Sequence, residues 1–267
     1  MALNDISLTA GMRGNLISLQ QTTELLTRTQ NRMATGKKVN SALDDPVNFF
    51  AAQGHMQRAT DLAVRKDGMS EAIQTIKAAD SGIKAITDLI QQMKSLATSA
   101  RTASDVTALE TQYDELRTQI DNLSADSNYK GTNLLGGDDL TVEFNESGAN
   151  TLTVTGFDAT VGGDLSITAA DLSSTTAIAS AVDELDAAMD TLRTNSKTLS
   201  SNLSIVTTRL DFTKNMIDTL QTGADNLTLA DMNEEGANML MLQTRQALGV
   251  TALSLSSQAA QSVLRLF

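Results

Sequence analysis

The chain has 267 residues, and its 20 lysines and arginines against 32 aspartates and glutamates give a net charge of -12. A surface this acidic is repelled by phosphate backbones, which argues against a nucleic-acid-binding protein. Cysteine is absent and His55 is the only histidine, so disulfides, thiolate metal sites and paired-histidine zinc sites are excluded. Aromatic residues amount to 3% and Pro46 is the only proline, a composition that favours long packed helices.

The N-terminal segment predicts a helix with one apolar stripe. Its apolar residues follow spacings of four and three residues, which keep one helix face against a partner. Gly36 suits the end of this helix because glycine tolerates the left-handed backbone found there. Asp45 followed by Pro46 is a typical helix start, a side-chain cap before a residue with a fixed φ. The stripe consists of Met12, Leu16, Leu19, Leu26 and Met33.

Two more helices with the same spacing precede the midpoint of the chain. In the first, Asp80 and Thr87 occupy gaps in the apolar ladder, and in the second the ladder includes Leu109, Leu116 and Ile120. The short polar connection 101–105 implies that these helices are antiparallel neighbours. Ser104 or Asp105 is the predicted cap of the second helix. The first ladder consists of Met69, Ile73, Ile76, Ile83 and Ile90.

One long helix follows the midpoint, with a seam of alternating four- and three-residue spacings from Ile178 to Leu227. Only Ser196 and Thr213 are polar at these positions. Fifty helical residues span roughly 75 Å, which predicts a coiled-coil-like rod. The seam includes Leu185, Leu192, Leu203, Leu210 and Ile217.

Between the two halves, apolar and polar residues alternate, as in Leu140, Val142 and Phe144 and again in Leu152 and Val154. Period-two runs on either side of the loop 145–150 predict a β-hairpin. The C-terminal segment returns to a helical pattern with apolar residues at multiples of seven. This last stripe includes Met232, Met239, Leu253 and Phe267, with Leu264 in the same block.

A membrane span is not predicted for the uncharged stretch 246–264. Eight of its residues are serine, threonine or glutamine, whereas a spanning helix is predominantly apolar. His55 has no second histidine or cysteine with which to form a metal or catalytic site. Acidic pairs such as Glu234-Glu235 are typical of helix caps or a solvated helix face. We therefore expect neither an enzyme nor a cofactor or metal site.

These patterns predict a mainly α protein, a long antiparallel coiled-coil-like helical bundle with a small β-rich insertion at its distal end. The predicted division has three parts. The terminal helices are 1–45 and 226–267, the helical rod is 46–134 and 175–225, and the hairpin insert is 135–174.

Three sequence motifs resemble the bacterial flagellin family. The segment TGKKVNSALDDP at 35–46 is similar to the flagellin motif that ends the first helix and enters the spoke. NYKGTNLL at 128–135 resembles the family signature before its variable region, and LADMNEEGAN at 229–238 with VLRLF at 263–267 resembles its C-terminal block. The resemblance covers roughly residues 1–135 and 175–267.

The resemblance implies a subunit of the flagellar filament, a hollow helical polymer used for swimming. The terminal helices, with the stripes named above, would line the inner tube and carry polymerisation. Gly36, Asp45 and Pro46 would form the spoke, the rod seam the next shell, and the insert would face solvent. The family further implies type III export in place of a signal peptide, an extracellular filament, an export chaperone at 226–267, and cap and hook–filament junction proteins as partners.

Two alternatives remain open at the sequence level. A hook–filament junction protein shares the terminal motifs but forms a single ring, and a secreted coiled-coil adapter would stay a discrete oligomer. One departure concerns recognition by the vertebrate Toll-like receptor. Flagellins that it detects carry an arginine and a glutamate where this chain has Gln92 and Ser95, which argues against recognition.

Overall fold

The structure is a computed structural model that describes residues 10–264, so Phe267 lies outside the described residues. The described chain is 74% helical, with one small antiparallel sheet. The predicted mainly α fold is confirmed. In chain order the elements are α1 (Ala10–Thr35), α2 (Pro46–Ala100), α3 (Thr107–Asp126), β1 (Leu140–Glu143), β2 (Thr151–Val154), α4 (Thr175–Thr228) and α5 (Met232–Leu264).

The chain divides into two compact units. We call the described residues of Met1–Met56 and Leu220–Phe267 the terminal unit, and Gln57–Thr219 the central unit. The finer division into terminal helices, rod and insert stays a prediction.

The central unit has one continuous apolar core built by α2, α3, α4 and the hairpin region. Burying each large aliphatic side chain contributes on the order of 1.5–3 kcal/mol, so this unit has its own source of stability. The predicted seam residues lie in or against this core, except that Leu109 packs in a smaller neighbouring cluster and Ile217 is buried nearer the end of the unit. Fully buried side chains include Met69, Ile76, Ile86, Ile90, Met93, Tyr113, Ile120 and Leu185.

Two polar residues that interrupt the predicted apolar ladders contact each other. Ser196 of α4 donates a hydrogen bond from Oγ to Oδ1 of Asp80 on α2, at 3.1 Å. Asp80 also accepts a hydrogen bond from Nζ of Lys84 at 2.6 Å. A polar pair inside an apolar seam is satisfied in only one register, so this contact helps to fix how α2 and α4 align.

The connection between α2 and α3 differs from the expectation at the cap. Helix α3 begins at Thr107, and the residue before it is Val106, which makes no side-chain cap. Asp105 nevertheless accepts a hydrogen bond from the Thr107 backbone N–H at 3.0 Å. The predicted position of the cap is therefore wrong, although the Asp105 carboxylate still satisfies one N–H of the first turn.

The predicted hairpin is present, with Leu140 paired to Val154 and Val142 paired to Leu152. Val142, Phe144 and Val154 are buried, as the alternation predicts. The loop is closed by the Phe144 N–H, which donates to the Asn150 carbonyl oxygen at 2.9 Å. The two strands are held mainly by their apolar face, because a lone hairpin is only marginally stable in water.

The hairpin packs along the side of α2. It does not lie at the end of the bundle where α2 connects to α3. Tyr129 donates from its hydroxyl to Oε2 of Glu71 at 3.0 Å, and farther along the chain Glu143 pairs with Arg65. Arg58 then donates to Glu146 of the hairpin loop at 3.0 Å. Each contact lies closer to the start of α2 than the one before, because the chain leaves α3 in the direction in which α3 runs.

Arginine side chains on two helices hold the hairpin. The guanidinium carbon of Arg209 on α4 lies 5.3 Å from the ring centroid of Phe144, within the range of a cation–π interaction. The ion pairs from Arg58 and Arg65 of α2 reach the same hairpin. One face of the hairpin is therefore packed into the central unit.

Gly156 follows the hairpin where no side chain fits. A Cβ built there would lie 2.2 Å from the Asp138 carbonyl oxygen and 2.8 Å from the Leu134 carbonyl oxygen, both backbone atoms. We expect Gly156→Ala to destabilise the central unit by about 1–3 kcal/mol or more, since the backbone must shift to relieve the overlap. Urea unfolding of the purified monomer measures this change.

Gly162 provides the matched control, because a Cβ there meets nothing within 4 Å. Gly162→Ala is expected to stay within about 0.5 kcal/mol of the parent protein. Equal stabilities for the two alanine variants would contradict the close approach at Gly156.

Candidate assembly surface on the terminal helices

Helices α1 and α5 pack against each other within the terminal unit. Met12 is buried, and Leu16, Leu19, Leu26 and Met33 are half-buried along α1. Met239 and Leu253 are half-buried on α5, where Leu242 is buried among them. A Cβ at Gly249 would lie 3.0 Å from Cδ1 of Leu19, so the Leu19 side chain packs closely against the backbone of α5 at this point.

The predicted stripes of the two terminal helices thus lie largely along the seam within one chain. Met232 is an exception because it is 47% exposed at the start of α5. The side chain of Leu264 lies outside what the structure describes. Alternating spacings of four and three identify the helix faces that pack within the chain, which here form the contact between α1 and α5.

An ion pair fixes the register of this helix pair. Nη1 of Arg32 donates to Oε1 of Glu235 at 2.9 Å, and Glu235 is only 6% exposed. A buried carboxylate without a partner costs several kcal/mol, so α1 and α5 are held where the two charges meet. The expectation of a cap or a solvated charge at Glu235 is wrong, because the residue lies on the α1-facing side of α5.

The end of α1 is tied to the end of α4. Gly36 has φ of 70°, a left-handed conformation that ends α1, and its carbonyl oxygen accepts from the Ala230 N–H at 3.0 Å. The backbone N–H groups of Lys38 and Val39 donate to the Thr228 carbonyl oxygen at 2.8 and 3.2 Å. This short bridge brings the start of α5 next to the end of α1.

Two aspartates organise the loop before α2. Oδ2 of Asp44 accepts from the backbone N–H groups of Asn40 and Ser41 at 3.0 and 2.9 Å, and these bonds lower the pKa of Asp44. Oδ1 of Asp45 accepts from the N–H groups of Val47 and Asn48, both at 3.1 Å, and the bond from Asn48 is the main cause of its lowered pKa. Asp45 therefore caps α2, and Pro46 is its first residue, which is the local geometry expected from the sequence.

A second apolar stripe runs along α5 on the side away from α1. Met241, Leu248 and Leu255 are seven residues apart, with Leu240 beside them, and their exposed fractions are 48%, 65%, 62% and 68%. Met241, Leu248 and Leu255 share a helix face because seven residues make about two turns. The middle of this face lies roughly opposite Leu242. We call these four residues the outer stripe of α5.

Helix α5 is apolar on more than one side. Between Met232 and Leu264 the charged residues are Glu234, Glu235 and Arg245, so more than half of the helix, from 246 to 264, carries no charge. A helix that is apolar all round is normally buried on all sides. Helix α1 covers one side of α5, which leaves the outer stripe without cover in the single chain.

A further apolar patch lies at the start of α2. Leu43, Val47 and Phe50 are 96%, 76% and 60% exposed, and Val47 and Phe50 share one face of the helix. We call these three residues the α2 patch. The Asp45 cap fixes the start of α2 and with it the direction in which the patch points.

Exposed large apolar residues are concentrated in the terminal unit. Of the sixteen such residues in the described chain, thirteen belong to this unit, and Val64, Ile205 and Phe212 belong to the central unit. Exposed apolar residues grouped in this way mark an interaction surface.

The net charge is distributed in the opposite way. By sequence, the terminal segments 1–56 and 220–267 carry 7 basic and 8 acidic residues, whereas 57–219 carries 13 basic and 24 acidic residues. Net charge on identical surfaces opposes their association. The terminal unit is close to neutral, so copies of it can approach without strong repulsion.

Other kinds of site have little support in the described chain. Among residues 10–264, no group of three or more histidine, aspartate or glutamate side chains is arranged to hold a metal ion. In the same range, no helix has both the length and the apolarity to cross a bilayer. His55 is half-buried near Gly223, and Gln92 and Ser95 are exposed on α2.

Comparisons with known proteins match both ends of the chain. The bacterial flagellin N-terminal helical region matches residues 10–139, and the bacterial flagellin C-terminal helical region matches residues 180–267. Flagellin FljM of Caulobacter vibrioides is 34% identical, with 100% of each chain covered. A flagellin of Brucella melitensis is 30% identical over 94% of this chain and 95% of its own.

Among solved structures, the crystal structure of Bacillus cereus flagellin is similar with a TM-score of 0.47 and 20% identity, over 55% of this chain and 88% of that chain. The two flagellin regions and the relatives matched along their whole length carry the conclusion. The chain belongs to the bacterial flagellin family.

Proposed function

We propose that this flagellin polymerises by burying the outer stripe of α5 and the α2 patch against neighbouring copies. As a flagellin the protein is a structural subunit of the bacterial flagellar filament, and its main partner is a further copy of itself. The observation that carries the proposal is the four-residue outer stripe on a helix whose opposite side already packs on α1.

The free energy available from this burial is sufficient for assembly. Covering the exposed part of each outer-stripe side chain contributes on the order of 1–2 kcal/mol. Four such side chains and the α2 patch together offset the loss of rotational and translational freedom on association. The near-neutral charge of the terminal unit keeps electrostatic repulsion small.

In this proposal the predicted stripe residues have an indirect role. Met12, Leu16, Leu19, Leu26 and Met33 hold α1 against α5, so that the outer stripe faces away from the pair. Gly36, Asp45 and Pro46 set the course of the loop that carries the α2 patch. The terminal helices would line the inner tube, the rod seam would stabilise the next shell, and the hairpin insert would face solvent.

Further partners follow from the same surface. An apolar stripe that is buried only after assembly needs cover beforehand, which favours an export chaperone bound around 226–267. We place the filament outside the cell, with delivery through the flagellar type III channel. Cap and hook–filament junction proteins would contact the two ends of the polymer. The two alternatives, a hook–filament junction protein and a coiled-coil adapter, are not favoured, because full-length relatives are flagellins.

Seeded growth tests the proposal. Purified protein is added to short filament fragments and followed by electron microscopy. Filaments that lengthen in proportion to added protein are expected, because each added copy presents a new uncovered surface. A single added layer, or a soluble oligomer of fixed size, would contradict the proposal.

A further inference from the structure

The outer stripe of α5 contains one residue with reactive chemistry, Met241. Met241 is 48% exposed and lies between Leu240 and Leu248 in the outer stripe. Because the chain has no cysteine, methionine is its only sulfur-containing residue. Met69 and Met93, in the core of the central unit, are 0% exposed. An oxidant in solution therefore reaches Met241 and cannot reach Met69 or Met93 without opening of the core.

We propose that Met241 is an oxidation site, and that its oxidation by a peroxide-class oxidant prevents assembly. The proposal rests on the proposed function, since it requires that the outer stripe is buried between copies. In the monomer the thioether is accessible, whereas in the filament neighbouring copies cover it.

The reaction is balanced with hydrogen peroxide as the oxidant. A sulfur lone pair attacks one peroxide oxygen, an S–O bond forms and the O–O bond breaks. The sulfur loses two electrons to give the sulfoxide, and the departing hydroxide takes up the remaining proton to give water. Methionine sulfoxide is polar and is reduced back by sulfoxide reductases.

The effect on assembly follows from the surroundings of Met241. A sulfoxide oxygen is a strong hydrogen-bond acceptor, and the other members of the outer stripe are leucines, which donate no hydrogen bond. The polar residues Thr244 and Arg245 lie one turn along the helix and are exposed. Burying an unpaired polar group is unfavourable, so the oxidised subunit loses affinity for its neighbours. Within the monomer the change is small, because the side chain already lies at the surface.

Two other methionines of the terminal unit are exposed to a similar degree, Met56 at 46% and Met232 at 47%. The test therefore compares two variants. One carries Met56→Leu and Met232→Leu and keeps Met241, and the other adds Met241→Leu. Leucine conserves the volume of methionine, so both variants are expected to fold, and each is compared with its own untreated sample.

Monomers of both variants are treated with hydrogen peroxide, and peptide mass spectrometry measures oxidation at each methionine. Oxidation of the variant that keeps Met241 is expected to raise the critical concentration for polymerisation at least about tenfold, and sulfoxide reductase is expected to reverse the rise. In the Met241→Leu variant, peroxide treatment is expected to leave the critical concentration at the value of the same variant without treatment. Equal loss in both variants, or no loss with Met241 oxidised, would overturn the proposal.

A second arm separates this proposal from the proposed function. Assembled filaments receive the same peroxide treatment, and the oxidation rate of Met241 is compared with that in monomers. If Met241 is protected in filaments but oxidised monomers still polymerise, the oxidation proposal fails and the assembly surface stands. If Met241 reacts equally fast in filaments and monomers, the outer stripe is not the assembly surface and both proposals fail.

Discussion

Replacing Leu248 by glutamate is expected to raise the critical concentration for filament growth by at least about a hundredfold, equivalent to about 3 kcal/mol. Leu248 is 65% exposed in the single chain and lies in the middle of the outer stripe of α5. The substitution removes the apolar contact and places a carboxylate where neighbouring copies offer apolar side chains. Burying such a charge without a partner costs several kcal/mol. Sedimentation of polymer at a series of protein concentrations measures the change.

Gln243→Glu is the matched control. Gln243 is exposed on α5, lies between the outer stripe and the α1-facing side, and gains the same charge with almost the same shape. Its effect on growth is expected to be much smaller than that of Leu248→Glu. Monomers of both variants should keep the helical content of the parent, since both positions are exposed. If both variants lower growth equally, the outer stripe has no special role.

Removing both terminal segments is expected to abolish polymerisation and leave a folded protein. The fragment 41–229 lacks α1 and α5 but keeps the whole core of the central unit, which lies within 57–219. We expect no filaments even with seeds, because α5 and its outer stripe are gone. Circular dichroism should still show a cooperative thermal transition, because the buried side chains of the central unit are unchanged.

Fragments that lack one segment, 41–267 and 1–229, test whether the two helices act as a pair. Both are expected to fail to polymerise. Without α1, the carboxylate of Glu235 and the inner side of α5 lose their partners. Without α5, the stripe of α1 has nothing to pack on. Growth of filaments from either fragment would contradict the paired arrangement, and loss of the cooperative transition would contradict the independence of the central unit.

The sequence is informative about packing inside the chain. Spacings of four and three identify Ile120, Leu185 and Leu192 as core residues, and all three are buried. The alternation in 140–154 identifies the hairpin and its buried face. These patterns succeed because a residue that packs on one partner repeats with the period of its own helix or strand.

The sequence predicts the candidate assembly surface less well than it predicts the core. The same spacing rule selects Met239 and Leu253, which face α1, and passes over Leu248 and Leu255. A helix that packs on its own chain on one side and on neighbouring copies on another has apolar residues at most positions, so no single period stands out. The uncharged stretch 246–264 indicates such a surface, because a helix that is apolar all round is normally buried on all sides.

The side of α2 on which the hairpin lies and the buried position of Glu235 depend on contacts between distant segments. Arg58 and Arg65 are separated from their hairpin partners by most of two helices, and Arg32 lies at the other end of the chain from Glu235. Such pairs have no fixed spacing in a sequence. They follow from the direction in which the chain leaves α3 and from the bridge between Gly36 and Ala230.

The central claim, that the outer stripe of α5 becomes buried between copies, is tested most directly by thiol labelling. Because the chain has no cysteine, Leu248→Cys places a single reactive thiol in the stripe, and Ala149→Cys places one in the exposed hairpin loop. We predict that the maleimide labelling rate at position 248 falls at least about tenfold when monomers assemble into filaments, while the rate at position 149 stays nearly unchanged. Equally fast labelling of position 248 in monomers and filaments would contradict the account.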